Sequence, residues 1–115
     1  MKTKIRRRRM TMAEFYRVLE RLRSAGWIAS LEGSLPVFNP YIRLRPRNGR
    51  RCYCPITAAI WLERGRYVYP NRAEQAGIEM GLDHGAVVRI IHASDDASMH
   101  PRIRKRMARA LNMRL

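Results

Sequence analysis

Acid is what this chain has least of. Nine Asp and Glu stand against 24 Lys and Arg in 115 residues, a formal net charge of +15 with neutral histidines. The acids are scattered, and no pair is spaced for general acid–base work. A phosphate-cradling glycine loop, an H-E-x-x-H pair and a G-x-S-x-G elbow are also missing. Together these gaps point away from an enzyme. No stretch reaches the roughly eighteen consecutive apolar residues of a membrane-crossing helix, so no membrane partner is expected. The basic N-terminus lacks the apolar run that would follow it in a secretory signal.

Cysteine is scarce as well. Cys52 and Cys54 stand one residue apart, too close along a strand to bridge comfortably, which fits a reducing, cytoplasmic setting. With His84, His92 and His100 they raise the question of zinc. A C-x-C pair followed by widely separated histidines matches none of the usual structural spacings, so neither metal nor cofactor is expected.

What the chain does have is clustered positive charge. Of the 24 basic residues, 17 lie in residues 1–10, 43–51 and 102–115. Such an excess repels itself in a free compact monomer and favours an anionic partner, nucleic acid before an acidic protein patch. Residues 1–10 carry six positive charges and no acid and read as a flexible basic arm, which binds phosphate by releasing condensed counterions. Residues 11–115 read as a single α+β domain, mostly helical with four or five helices and a small antiparallel hairpin or sheet in the N-terminal half.

Residues 11–25 are the clearest helix. Thr11 and Glu14 form a capping box, Met10 and Phe15 are placed for a hydrophobic staple, and Phe15, Val18, Leu19 and Leu22 make one apolar stripe. Gly26 ends it. Residues 27–33 alternate as a short strand, and residues 41–45 and 51–54 flank Asn48-Gly49, the strongest short hairpin signal. With that turn, Leu44 falls opposite Tyr53 and Arg45 opposite Cys52. Ile42, Leu44 and Tyr53 then share one face, while Arg43, Arg45, Arg47 and Arg50 share the other, with Arg51 beside them. Like charges so placed destabilise a hairpin unless an anion lies between them, so the ribbon is a candidate phosphate contact. A plain exposed hairpin kept soluble by arginine is the alternative.

Residues 55–65 read as a helix with proline in its first turn, and residues 66–70 as an extended linker. Tyr67 and Tyr69 in that linker could stack on bases, though such tyrosines more often pack on a core. Residues 101–113 form a last helix, with Ile103, Met107, Ala110 and Leu111 inside and Arg102, Lys105, Arg106 and Arg109 outside. That face suits a phosphate backbone, or simply the soluble side of an amphipathic cap.

Residues 71–94 organise the rest. Asn71 and Glu74 are placed as a capping box; Ala76 and Gly77 are small; Gly81 stands where a helix needs a left-handed residue. Leu82 follows, Asp83 is a ready N-cap, and Val87, Ile90 and Ile91 recur at helical spacing. The pattern resembles the helix-turn-helix of DNA-binding proteins. That resemblance implies a second helix reading bases through His84, Arg89 and His92, without the Gln or Asn that commonly does so. A plain αα-hairpin that only packs is the alternative.

Three further segments, C-P-I-T-A-A-I from Cys54, Met80-Gly81-Leu82 at a polar turn, and I-I-H-A-S-D-D from Ile90, precede a basic last helix. They resemble small uncharacterised proteins encoded in bacteriophage genomes, with Met80 in place of a leucine and Ser94 in place of an alanine. The resemblance implies action in the host-cell cytoplasm and no particular activity. The expected function is non-catalytic nucleic-acid binding, DNA ahead of RNA. The rival is a phage-encoded inhibitor of a host defence complex (anti-CRISPR-like) or transcription complex that docks on an acidic host protein; an RNA-bound ribosomal accessory would rest on charge alone.

Overall fold

The computed structural model describes residues 9–32, 41–45, 52 and 54–113. Through them run α1 (Met12–Ser24), β1 (Ile28–Glu32), β2 (Tyr41–Arg45), α2 (Pro55–Arg64), α3 (Ala73–Glu79), α4 (His84–Asp95) and α5 (Pro101–Ala110). The architecture is the mostly helical α+β arrangement expected, with a two-stranded antiparallel sheet. Among the described residues no helix is long and apolar enough to cross a membrane.

Helix α1 forms where its caps and stripe place it. The Glu14 N–H donates to Thr11 Oγ1 at 3.1 Å and the Thr11 N–H to Glu14 Oε1 at 3.2 Å, so each residue satisfies a donor the helix cannot. Phe15, Val18, Leu19 and Leu22 are buried, each stabilising the fold by roughly 1.5–3 kcal/mol relative to exposure. The helix ends at Gly26, φ +91°. The Gly26 N–H donates to the Arg23 carbonyl and the Trp27 N–H to the Leu22 carbonyl, a Schellman closure. Gly81 and Asn112 end α3 and α5 the same way, again at positive φ.

β1 pairs with β2, Ala29 opposite Leu44 and Leu31 opposite Ile42. Side chains directly opposite share a face, so these four turn one way, and Ile42 and Leu44 are fully buried. On β2's far side the hairpin expectation needs correcting. Leu44 pairs with Cys52, exchanging two backbone hydrogen bonds of 2.6 Å, not with Tyr53; Arg45 is not opposite Cys52. The Asn48-Gly49 signal favours a short turn, but a one-residue slip decides which face is buried. Cys52 is 3% exposed, and only the observed register puts it beside Leu44 in the core. Asn48, Gly49 and Tyr53 lie outside the described residues.

α2 runs through the middle of the molecule, against α1, α3, α4 and β2. Pro55 opens it without loss of a needed N–H, and Pro55 through Ile60 are all buried. Gly65 closes it in the left-handed region, φ +62°. Beyond it, the expected cap of α3 is another correction. Pro70–Arg72 forms a single 3₁₀ turn, and α3 begins only at Ala73, with Arg72 as its N-cap and no side-chain cap bond. Proline starts a tight turn readily, so Asn71 sits within that turn rather than before the helix.

The α3–α4 turn follows the sequence closely. Gly77 faces α4 so tightly that a Cβ there would stand 2.9 Å from Val87 Cγ2 and 3.3 Å from two Ile56 carbons. Asp83 caps α4 through the Gly85 N–H at 3.1 Å. Ala86, Val87, Ile90, Ala93 and Ser94 are buried along one side of α4.

Candidate nucleic-acid interface

The three groups of candidate residues occupy different settings. On β2, Arg43 is half-buried and Arg45 exposed, alternating with buried Ile42 and Leu44 as period two requires. Arg47, Arg50 and Arg51 lie outside the described residues, as does most of the N-terminal arm. The arm's visible end is anchored: the Met10 N–H donates to the Gly81 carbonyl at 2.8 Å, tying the start of α1 to the α3–α4 turn.

On α4 the outward face is mixed in sign. His84, Arg89 and His92 are exposed, and so are Asp83 and Asp95 at its two ends. His84 Nε2 lies 2.6 Å from Glu74 Oε1, so the first residue of the expected reading face is held by α3. The His92 ring lies parallel to that of His100, centroids 6.3 Å apart. His100 itself holds a left-handed backbone, φ +43°, just before Pro101.

On α5 every exposed residue after Pro101 is basic. Arg102, Lys105 and Arg109 are exposed, and the helix contains no acid. None of these three makes an ion pair with a carboxylate among the described residues. Arg106 is half-buried instead, its guanidinium 4.7 Å above the centre of the Tyr16 ring, a cation–π contact that fixes α5 on α1.

One basic residue of α5 turns inward. Arg104 is 5% exposed. Its Nη1 donates to the Ala93 carbonyl at 2.7 Å and the Ser94 carbonyl at 3.2 Å. Both are orphan carbonyls of α4's last turn, where positive charge also meets the helix dipole. Burial lowers the Arg104 pKa and Asp96 offsets part of that, yet an arginine stays charged. Ser94 Oγ in turn accepts the Ile42 N–H at 3.3 Å. β2 and α5 therefore both abut the C-terminal turn of α4, which brings Arg43 and Arg45 to the same end of the molecule as the start of α5. The stripe Arg104, Met107, Ala108, Leu111 has helical spacing and was visible in the sequence; an arginine in it reads as surface until its acceptors are known.

The linker tyrosines divide. Val68 is buried, Tyr67 is half-buried and Tyr69 is 67% exposed. Packing on a core therefore does not describe Tyr69. Val68 takes the inward position, and alternation along an extended backbone turns Tyr69 out.

Elsewhere the surface is less selective. A groove of about 790 Å³ beside α1 is lined by Arg9, Arg17 and Arg64 but also by Glu14, Glu20 and Glu63, and Arg21 is paired with Glu63 across it. Its charges are mixed in sign. Among the described residues no three His, Cys, Asp or Glu are grouped to hold a metal. Burial raises the pKa of both cysteines, Cys54 to about 12, so neither carries a ready thiolate. No protein-family model, curated protein or solved structure matches the chain.

Proposed function

We propose that this protein binds nucleic acid without catalysis, holding it chiefly through phosphates. The observation that carries this reading is the outward face of α5: Arg102, Lys105 and Arg109, exposed, with no carboxylate on the helix to neutralise them. Exposed cations at helical spacing follow a phosphate backbone, and each phosphate they neutralise releases counterions. Arg43 and Arg45 on β2, the strand that meets the C-terminal turn of α4, would add to that charge, with Arg47, Arg50 and Arg51 following in the chain. Arg89 and His92 on α4 supply whatever base preference exists, with His84 available only after leaving Glu74. DNA is the favoured form, from the likeness of the α3–α4 segment to a helix-turn-helix. The likeness to phage-encoded chains makes the host cytoplasm its place of action.

A second reading has one observation in its favour. The α4 face is mixed in charge, and its first histidine is engaged, so base reading has little support there. A basic α5 face docked on an acidic host protein, as an inhibitor would dock, needs no base readers. The two readings separate during purification. A nucleic-acid binder leaves the cell with an absorbance ratio near that of nucleic acid, sheds it in high salt and rebinds a labelled random duplex when salt is lowered. Failure to bind that duplex at low salt, with an acidic protein retained instead, would establish the second reading.

A further inference from the structure

The exposed linker tyrosine has no role in a phosphate-binding surface. Tyr69 and Tyr67 meet edge to face, ring centroids 5.2 Å apart and planes at 89°. Such a contact covers one face of one ring, and Tyr69, 67% exposed, keeps a face open to solvent. Pro70 follows at once and the 3₁₀ turn Pro70–Arg72 fixes the backbone beyond it, while Val68 anchors the backbone before it in the core. The backbone on both sides of the ring is held and the ring rests on Tyr67, so stacking has less conformational entropy to remove than at a mobile loop.

Cations surround the tyrosines. A hollow of about 260 Å³ is bounded by Arg66, Tyr67, Tyr69, Arg72, Gln75 and Glu79. Arg66 Nη2 holds the Glu79 carboxylate at 3.3 Å and Arg64 Nη2 holds the Glu79 carbonyl at 3.3 Å. The one acid of the hollow is thereby engaged, and Arg72 is exposed with no ion pair among the described residues. The hollow is smaller than the ~300–1,000 Å³ usual for a small-molecule site, which suits one base rather than a whole cofactor. The adjoining surface of α3 is lined by Asn71, Glu74, Gln75, Ile78 and Glu79, with no cation among them. A strand lying here must keep its backbone beside Arg66 and Arg72 and its base over the tyrosine.

We propose that Tyr69, supported by Tyr67 and flanked by Arg66 and Arg72, stacks an unpaired base, and that this site binds single-stranded nucleic acid. A base inside a closed duplex has both faces covered by its neighbours and cannot present one to a tyrosine. Stacking is indifferent to base identity because every base has a π-face, so the site adds preference for open strands without sequence preference. The inference rests on the nucleic-acid reading and assigns the partner's form at a second place on the surface.

The test uses the full chain, a 12-nucleotide oligothymidine carrying one 2-aminopurine, and a blunt duplex of the same length. Wild type should quench the 2-aminopurine. Tyr69→Ala should lower affinity for the single strand roughly 10- to 100-fold, abolish the quenching and leave duplex affinity unchanged. Tyr69→Phe should retain both, because it keeps the ring. Arg72→Ala should reduce the salt slope on the single strand by about 0.7 without removing the quenching. An unaltered urea midpoint for Tyr69→Ala establishes that the variant is folded. If Tyr69→Ala binds the single strand within about two-fold of wild type, the stacking site is wrong while nucleic-acid binding stands. Loss of duplex and single-strand affinity together would also overturn the site, since stacking acts on one of them. If wild type binds neither probe, both readings fail.

Discussion

Helices α4 and α5 pack against each other, are of similar length, and place their charged residues in opposite ways. α4 has one exposed arginine between two exposed acids, and the histidine that starts it is held by Glu74. α5 has five basic residues in ten and no acid, three of them exposed, one resting on an aromatic ring and one turned inward. The sequence pattern draws attention to α4, because a tight turn between capped helices is a recognised reader of DNA. The arrangement of charge draws attention to α5. Position in a motif and suitability for an anion are separate properties, and here they fall on different helices, packed together and linked by the hydrogen bonds of Arg104.

The sharpest way to break that pairing is to remove Arg104. Arg104→Met keeps much of the side-chain volume but leaves the Ala93 and Ser94 carbonyls without their charged donor. Unmet buried groups and lost charge-assisted bonds cost about 2–3 kcal/mol, read as a lower urea midpoint. Arg102→Ala and Lys105→Ala, on the same helix but exposed, should stay within about 0.5 kcal/mol of wild type. Equal effects from all three would mean that the inward arginine is not what joins the two helices.

Gly77→Ala probes the other side of α4. The added Cβ would press on Val87 and Ile56, both buried in the core, and overpacking of that kind costs about 1–3 kcal/mol. Gly85→Ala would meet Arg89 Nη1 and the capping Asp83 Oδ2, both at 3.2 Å and both ends of exposed side chains, and should cost less. Glu74→Ala frees His84 at an exposed pair, which should change stability by no more than about 1 kcal/mol. Thermal or urea unfolding of the three variants ranks them.

How much of this was legible in the sequence depends on the range of the interaction. Thr11 with Glu14, Gly26, Gly81 and Asp83 act within a few residues of themselves, and each sits in the cap or turn its type predicts. The α1 stripe and the Val87–Ile90 stripe are likewise local periodicities. Cys52 opposite Leu44 was not legible, because the Asn48-Gly49 signal is local while the register is chosen by which side chains the core accepts. Asn71 failed as a cap because Pro70 had already started a 3₁₀ turn. Arg104 was hidden for the same reason as Cys52: its acceptors lie ten and eleven residues away on another helix. Of the candidate interface, the basic face of α5 could be read by spacing, whereas the tie between His84 and Glu74 and the exposure of Tyr69 could not.

The smallest expected effect lies in the segment joining the two helices. Asp95 and Asp96 are adjacent but shifted in opposite directions. Partial desolvation of its carboxyl raises the Asp95 pKa although the residue is largely exposed, with His92 opposing it. Hydrogen bonds from the Ser98 hydroxyl at 2.7 Å and the Ser98 N–H at 2.9 Å hold Asp96 below the ordinary range. Ionised Asp96 therefore favours the fold above the usual carboxylate pKa, and that contribution is lost as pH falls through its depressed value. Asp95 acts the other way, the desolvation of its carboxyl opposing the fold once pH rises past the usual value. Carboxyl chemical shifts followed through a pH titration should give two midpoints on either side of a free aspartate's; a reversed order would contradict the hydrogen-bonded turn.

The central claim is that α5, not α4, holds the phosphate backbone, and the salt dependence of duplex binding tests it most directly. Wild type would be compared with a variant in which Arg102, Lys105 and Arg109 are alanine, and with Arg89→Ala/His92→Ala, on one labelled random duplex. Each phosphate contact contributes about 0.9 to the slope of log affinity against log salt. The α5 variant should therefore lose roughly two to three units of slope, and the α4 variant no more than about one. A larger loss from α4 than from α5, or an unchanged slope in the α5 variant, would contradict the account.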